Sequence, residues 1–196
     1  MKVKIKRLSG NFNDGYALDK HIVSSVFLGN NEWGRPQFDT TRTPAGEAVF
    51  RLKYRGDFDQ AKPLAKAIVR AIVPQFPSIG LVMPTPASTT RNRQPVTEVA
   101  TAVAERLGKP LFDNIISKSA VATNTDSLKN MNSRAEKDAA LAGRYLLNRP
   151  ISNEGCWNVL VVDDLFDSGA TMDAVCSLLS QYAKINGVYV AAMTWR

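Results

Sequence analysis

The sequence predicts an α/β fold built on a parallel sheet, and three observations carry that expectation. Short apolar runs alternate with amphipathic stretches through the second half of the 196 residues. The strongest run, Asn158-Val159-Leu160-Val161-Val162, is apolar at every position after the first, as a strand covered on both faces must be. Two aspartates and a tight turn follow it, and the turn leads directly into a helical pattern.

Taken in order, Met1 to Arg7 alternates charged and apolar residues and reads as a strand with one wet face. His21 to Leu28 reads as a second strand, and Asn30 to Thr41, rich in Gly, Asn, Pro and Asp, as a loop. Thr43-Pro44 supplies a cap and a first helical residue for a helix over Ala48 to Tyr54. Asp59 begins another that reaches Ile72 or Val73, with Pro63 tolerated within or near its first turn. Ser78 to Met83 is a buried strand stopped at Pro84. Pro95 opens a helix with Val96, Val99, Ala100, Val103 and Leu107 on one face, ended by Gly108. Leu111 to Ile116 is expected as a further strand. The polar stretch Ser117 to Asn132 is long for a connection and has the character of a lid or an exposed loop. Ser133-Arg134-Ala135-Glu136 fits a capping box whose helix runs to about Leu147. Thr171 to Tyr182 reads as a helix and Val188 to Thr194 as the closing strand.

Composition narrows the function classes. The net charge of +7, from 25 Lys+Arg against 18 Asp+Glu, favours a polyanionic ligand, either nucleic acid or a phosphorylated small molecule. No dedicated basic arm supports nucleic acid. Two cysteines and one histidine make a disulfide framework, a tetrahedral metal site or a His-based triad improbable. Without a signal peptide or an apolar run of roughly 18–20 residues, a cytoplasmic protein with no membrane partner is expected.

The chemistry is concentrated in Val161-Val162-Asp163-Asp164-Leu165-Phe166-Asp167-Ser168-Gly169-Ala170-Thr171. A buried strand delivers two carboxylates to the edge of the sheet where α/β folds place ligands. The turn offers backbone N–H groups, two hydroxyls and the positive end of a helix dipole to one anion. Gly169, with no Cβ, lets the backbone approach it. Carboxylates for a diol beside a cradle for a phosphate describe a ribose 5-phosphate. Each part alone is an ordinary turn or cap; the combined spacing is what is specific.

That segment resembles the signature of type I phosphoribosyltransferases, which bind 5-phosphoribosyl 1-diphosphate (PRPP). The resemblance implies a Rossmann-like parallel-sheet core over residues 44–196, with residues 1–43 as a hood or extension. It implies that Asp163 and Asp164 hold the ribose hydroxyls, partly through Mg2+, and that Asp167, Ser168, Gly169, Ala170 and Thr171 wrap the 5-phosphate. Leu52-Lys53-Tyr54-Arg55-Gly56-Asp57, Val82-Met83-Pro84-Thr85-Pro86 and Ser133-Arg134-Ala135-Glu136 resemble segments of the ComF-like branch. The second of these implies a diphosphate site at Thr85, Pro86, Ala87 and Ser88. The usual basic, glycine-containing stretch of the branch after it is replaced here, with Arg91 and Arg93 keeping positive charge. Lys129, in the Ser117–Asn132 stretch, is a candidate to reach the diphosphate. The branch's cysteine-rich zinc segment has no counterpart here. Asp167 stands where many members carry Thr; it is a candidate general base or a plain turn residue. The expected activity is Mg2+-dependent phosphoribosyl transfer to a nitrogen nucleophile. The alternatives are a non-catalytic PRPP- or nucleotide-sensing module and an accessory protein in DNA uptake or processing. A homo-oligomer is compatible with any of them.

Overall fold

The computed structural model describes residues 1–87, 89, 91–119 and 143–196. At its centre is a five-stranded sheet in the order β1 (Lys6–Arg7), β2 (Asp14–Lys20), β9 (Ile185–Trp195), β8 (Trp157–Phe166), β5 (Leu81–Pro84). The last four are parallel, and β1 closes one edge antiparallel to β2. The parallel strands therefore end together, at Lys20, Trp195, Phe166 and Pro84, and the chemistry-bearing residues collect along that edge.

Period-two alternation along β8 sends its side chains to two cores. Leu160 and Val162, with Val82, Ala191 and Met193, pack against helices α1 (Pro44–Tyr54), α2 (Ala61–Ala71) and α3 (Pro95–Leu107). Val159 and Val161, with Met83, Val190 and Ala192, pack against α4 (Ala170–Leu179) and a small antiparallel pair, β6 (Ile116–Lys118) and β7 (Tyr145–Leu147). Val159 to Val162 are all fully buried, and each such side chain contributes about 1.5–3 kcal/mol by leaving water. A parallel sheet covered on both faces is the architecture the unbroken apolar run demanded.

Local signals set the helix ends. Thr43 Oγ1 accepts from Gly46 N at 3.0 Å and donates to Lys20 O at 2.6 Å, tying the start of α1 to the end of β2. A Cβ on Gly46 would lie 2.0 Å from His21 O, so only glycine permits this approach. Pro95 occupies the first turn of α3, and Gly108 in the left-handed conformation closes it.

Three expectations need correction. The stretch from Asn30 to Thr41 is not all loop: β3 (Ile22–Asn30) and β4 (Pro36–Arg42) form a hairpin, and the turn residues end at Arg35. Pro36 is tolerated because it begins its strand. Leu111 contributes only a single bridge, to Val82, and the strand is Ile116–Lys118. The helix from Ser133 does not reach Leu147: Tyr145–Leu147 pairs with β6, since so short an apolar run fits either periodicity and tertiary pairing decides. The capping box and residues 120–132 of the expected lid lie outside the described residues. Residues 1–43 divide in two, β1 and β2 joining the core sheet while β3 and β4 stand apart as the hairpin.

Candidate functional site

β5 runs beside β8 only as far as the pair Pro84–Val162. Thr85 N still donates to Val162 O at 2.9 Å, and the chain then leaves the sheet. β8 continues four residues further, so Asp163 and Asp164 lie within the strand, at the mouth of a cleft of about 210 Å3. The sequence placed them at the strand's end; the strand in fact runs on to Phe166 because β9 pairs with it to Trp195.

The two carboxylates have different surroundings. Thr85 Oγ1 donates to Asp163 Oδ1 at 2.7 Å, and Asp164 N donates to the same oxygen at 2.9 Å. Burial of the carboxyl, reinforced by the neighbouring Asp164 charge, outweighs those bonds and pushes Asp163 up to about 7. Asp164 Oδ2 is paired with Lys53 Nζ at 2.5 Å, a contact made from the last turn of α1. Burial opposes the Lys53 charge, yet Asp164 outweighs it and leaves the ammonium above its ordinary value. Behind the pair, Thr194 Oγ1 donates to Asp164 O at 2.8 Å. That hydroxyl has one proton, so the contact with His21 Nδ1 at 3.0 Å makes His21 the donor. Burial, with Arg196 and Arg42 nearby, holds the imidazole below its ordinary value.

The opposite wall is cationic. Lys118, at the end of β6, and Arg144, just before β7, both line the cleft with Arg91. Burial and the Arg144 charge lower Lys118. Arg144 Nη1 is buried with no hydrogen-bond partner among the described residues. A buried guanidinium nitrogen without an acceptor is costly, and an anionic ligand would satisfy it. Tyr145 is buried between this wall and α4, shares a hydrogen bond with Thr171, and is raised by burial.

Of the expected site residues, Asp163, Asp164, Thr171, Thr85, Pro86, Ala87 and Arg91 line the one cleft. Asp167, Ser168, Gly169 and Ala170 form the turn into α4 beside it. Gly169 sits at the helix start with φ +81° and provides no side-chain cap, so the first N–H groups are not closed off by their own capping residue. Arg93 is spent elsewhere: it forms a bidentate pair with Glu98 at 2.7 and 3.0 Å and lies over the Phe58 ring. Ser88 and Lys129 fall outside the described residues. The residues that sequence reading missed are Lys53, Lys118, Arg144 and Tyr145. Lys53 was visible in the Leu52–Asp57 motif, but nothing in the sequence marked its partner.

Among the described residues no cluster of three metal-ligating side chains occurs. A divalent cation here would be held by one or both aspartates and the ligand's own oxygens, the manner that suits Mg2+.

No family model matches the sequence, and no curated protein matches it. Solved structures do resemble the fold. Adenine phosphoribosyltransferase from Trypanosoma brucei, solved with AMP, pyrophosphate and ribose-5-phosphate, aligns over 98% of this chain and 74% of its own at 13% identity and a TM-score of 0.52. The enzyme from Thermoanaerobacter pseudethanolicus covers 88% of this chain and 95% of its own at 15% identity, TM-score 0.42. That from Saccharomyces cerevisiae covers 87% and 84% at 13% identity, TM-score 0.42. The fold is that of the type I phosphoribosyltransferases.

Proposed function

We propose that this chain binds PRPP in the cleft and transfers its phosphoribosyl group to a nitrogen nucleophile, releasing diphosphate. One observation carries the reading: adjacent carboxylates near the carboxyl end of β8 share one cleft with Lys118, Arg144 and Arg91. In this reading Asp163 and Asp164 receive the ribose diol, the turn Asp167–Thr171 and the start of α4 receive the 5-phosphate, and the cationic wall receives the diphosphate. Thr85, Pro86 and Ala87 form the floor between them. The AMP, pyrophosphate and ribose-5-phosphate bound by the trypanosomal enzyme are consistent with that division.

The bond from the anomeric carbon to diphosphate breaks, with its electron pair leaving on the diphosphate, as the acceptor nitrogen closes on the opposite face. Lys118 and Arg144, half-enclosed by protein, stabilise the departing charge more than they could in water. The proton released from the acceptor nitrogen passes to Asp167, which is exposed beside the cleft. Mg2+, carried by Asp163, Asp164 and the ligand's oxygens, would neutralise part of the diphosphate charge. Resemblance in the Leu52–Asp57 and Val82–Pro86 segments supports a position nearest the ComF-like branch.

The test is calorimetric titration of PRPP with Mg2+, alongside circular dichroism. Asp163→Asn with Asp164→Asn should weaken binding at least 100-fold while the far-ultraviolet spectrum is kept. Wild-type affinity in that variant would give these carboxylates another role. A second reading, in which PRPP is bound but not consumed, is favoured by the Lys53–Asp164 ion pair, which occupies one of the two carboxylates. Tight PRPP binding without diphosphate release across a broad set of bases and amines would select it.

A further inference from the structure

The β3–β4 hairpin exposes what a monomer keeps covered. Val23, Val26, Phe27, Leu28, Trp33 and Phe38 are each more than half exposed, Trp33 by 75%. They leave on the order of 700 Å2 of apolar side chain in water, counting about 150–250 Å2 for a whole aromatic side chain and less for Val and Leu. A stable interface buries about 800 Å2 per partner. The apolar residues lie on both faces. Phe27 and Phe38 are opposite each other with ring centroids 5.5 Å apart, and the next pair along, Val26 and Asp39, points the other way. Folding back onto its own chain would cover only one face. A two-stranded hairpin is also marginal by itself and gains from further strands.

The two strands offer different edges. Both irregularities in the pairing insert their extra residue, Val23 and Leu28, into β3, which breaks its outer edge. β4 is regular from Gln37 to Thr41, and the hairpin forms a sheet of its own, so the outer edge of β4 has no strand beside it among the described residues. The hairpin is also a neutral part of a basic chain. Residues 22–42 carry Glu32 and Asp39 against Arg35 and Arg42, while the whole chain carries +7. Two copies would repel little through this segment.

We propose that this hairpin is a dimerisation arm that pairs with the same hairpin of a second copy, β4 against β4, about a two-fold axis near Gln37. The union makes a four-stranded antiparallel sheet and sets Phe38 of each copy beside Pro36 of the other. An axis at Gln37 sets Arg35 of each copy against Asp39 of the other, both exposed in the single chain.

Sedimentation of the full chain at tens of micromolar should give twice the single-chain mass, and no larger species. Arg35→Asp and Asp39→Arg should each weaken the dimer about 10-fold, and the two together should restore it. In a Cys156→Ser background, Gln37→Cys should form an intermolecular disulfide under air, because antiparallel partners lie within disulfide reach; Ser25→Cys on β3 should not. A single-chain mass throughout overturns the proposal, as does open-ended association. A dimer indifferent to the swap, or one that fails to cross-link at position 37, overturns the pairing of β4. PRPP affinity should be unchanged in the Arg35 and Asp39 variants, so the result stands or falls apart from the assigned function.

Discussion

At the scale of residues, the site shows a conflict between folding and binding that is measurable. Asp163 is raised to about 7 in the fold, against roughly 3.9 in an unfolded chain. Its neutral form therefore supports the fold fully below about pH 4, and that support is lost as the pH rises through 7. An asparagine side chain in its place would be neutral throughout. The amide oxygen also keeps both hydrogen bonds, since Thr85 Oγ1 and Asp164 N converge on one oxygen. Asp163→Asn should therefore be more stable than wild type, by an amount that grows on the order of 1–3 kcal/mol between pH 5 and pH 8. Urea unfolding at the two pH values checks it, and a pH-independent difference would mean that the carboxyl is not the cause. His21, depressed by burial, works in the opposite sense: its contribution is present above about 6.5 and falls as acid protonates it. Because His21 is common to both proteins, comparison at each pH removes it. The aspartates and Thr171 were legible because strand, turn and helix are consecutive. Lys118 and Arg144 were not, because only the antiparallel pairing of β6 with β7 brings them together.

At the scale of elements, the turn into α4 is fixed more tightly than a phosphate cradle alone requires. Gly169 has φ +81°, and a Cβ there would lie 2.9 Å from Phe166 Cζ. A β-branched residue meets both the left-handed backbone and the ring. Gly169→Val should cost about 2–3 kcal/mol of stability. Combining it with Phe166→Ala, and comparing with Phe166→Ala alone, should recover the part due to the ring and leave the part due to φ. Equal losses in the two backgrounds would assign the whole cost to the backbone. Elsewhere, elements were readable where local preference and packing agreed, as in α2, α3 and β8. They were misread where a short segment fits either periodicity, as in Tyr145–Leu147. They were also misread where turn residues spilled into a strand, as at Pro36 in β4.

At the scale of the whole molecule, the alternation of strands and helices disclosed the parallel sheet but not its order. Nothing local marks Asp14–Lys20 as a core strand; its neighbour β9 lies at the other end of the chain, and only that pairing reveals its role. Leu18 is fully buried beneath α1 and α2. Leu18→Ala should therefore destabilise the protein by about 2–5 kcal/mol, the range for a large-to-small change in a packed core. A hood residue in the same position would cost almost nothing. Chemical denaturation separates the two, and a loss below about 1 kcal/mol would detach this segment from the core.

The parallel pairing of β2 with β9 also has a consequence in time. Residues 14–20 must wait, during synthesis, until residues 189–195 have been made before they acquire their neighbour. β8 waits for the same strand. Until then the sheet is two separate pieces with the gap where its central strand belongs, each presenting an unfilled apolar edge. Closure across such a separation is entropically slow, and the interval leaves the nascent chain exposed to wrong partners. Its demand on chaperones should fall on that interval, before the last strand enters, rather than on the finished protein.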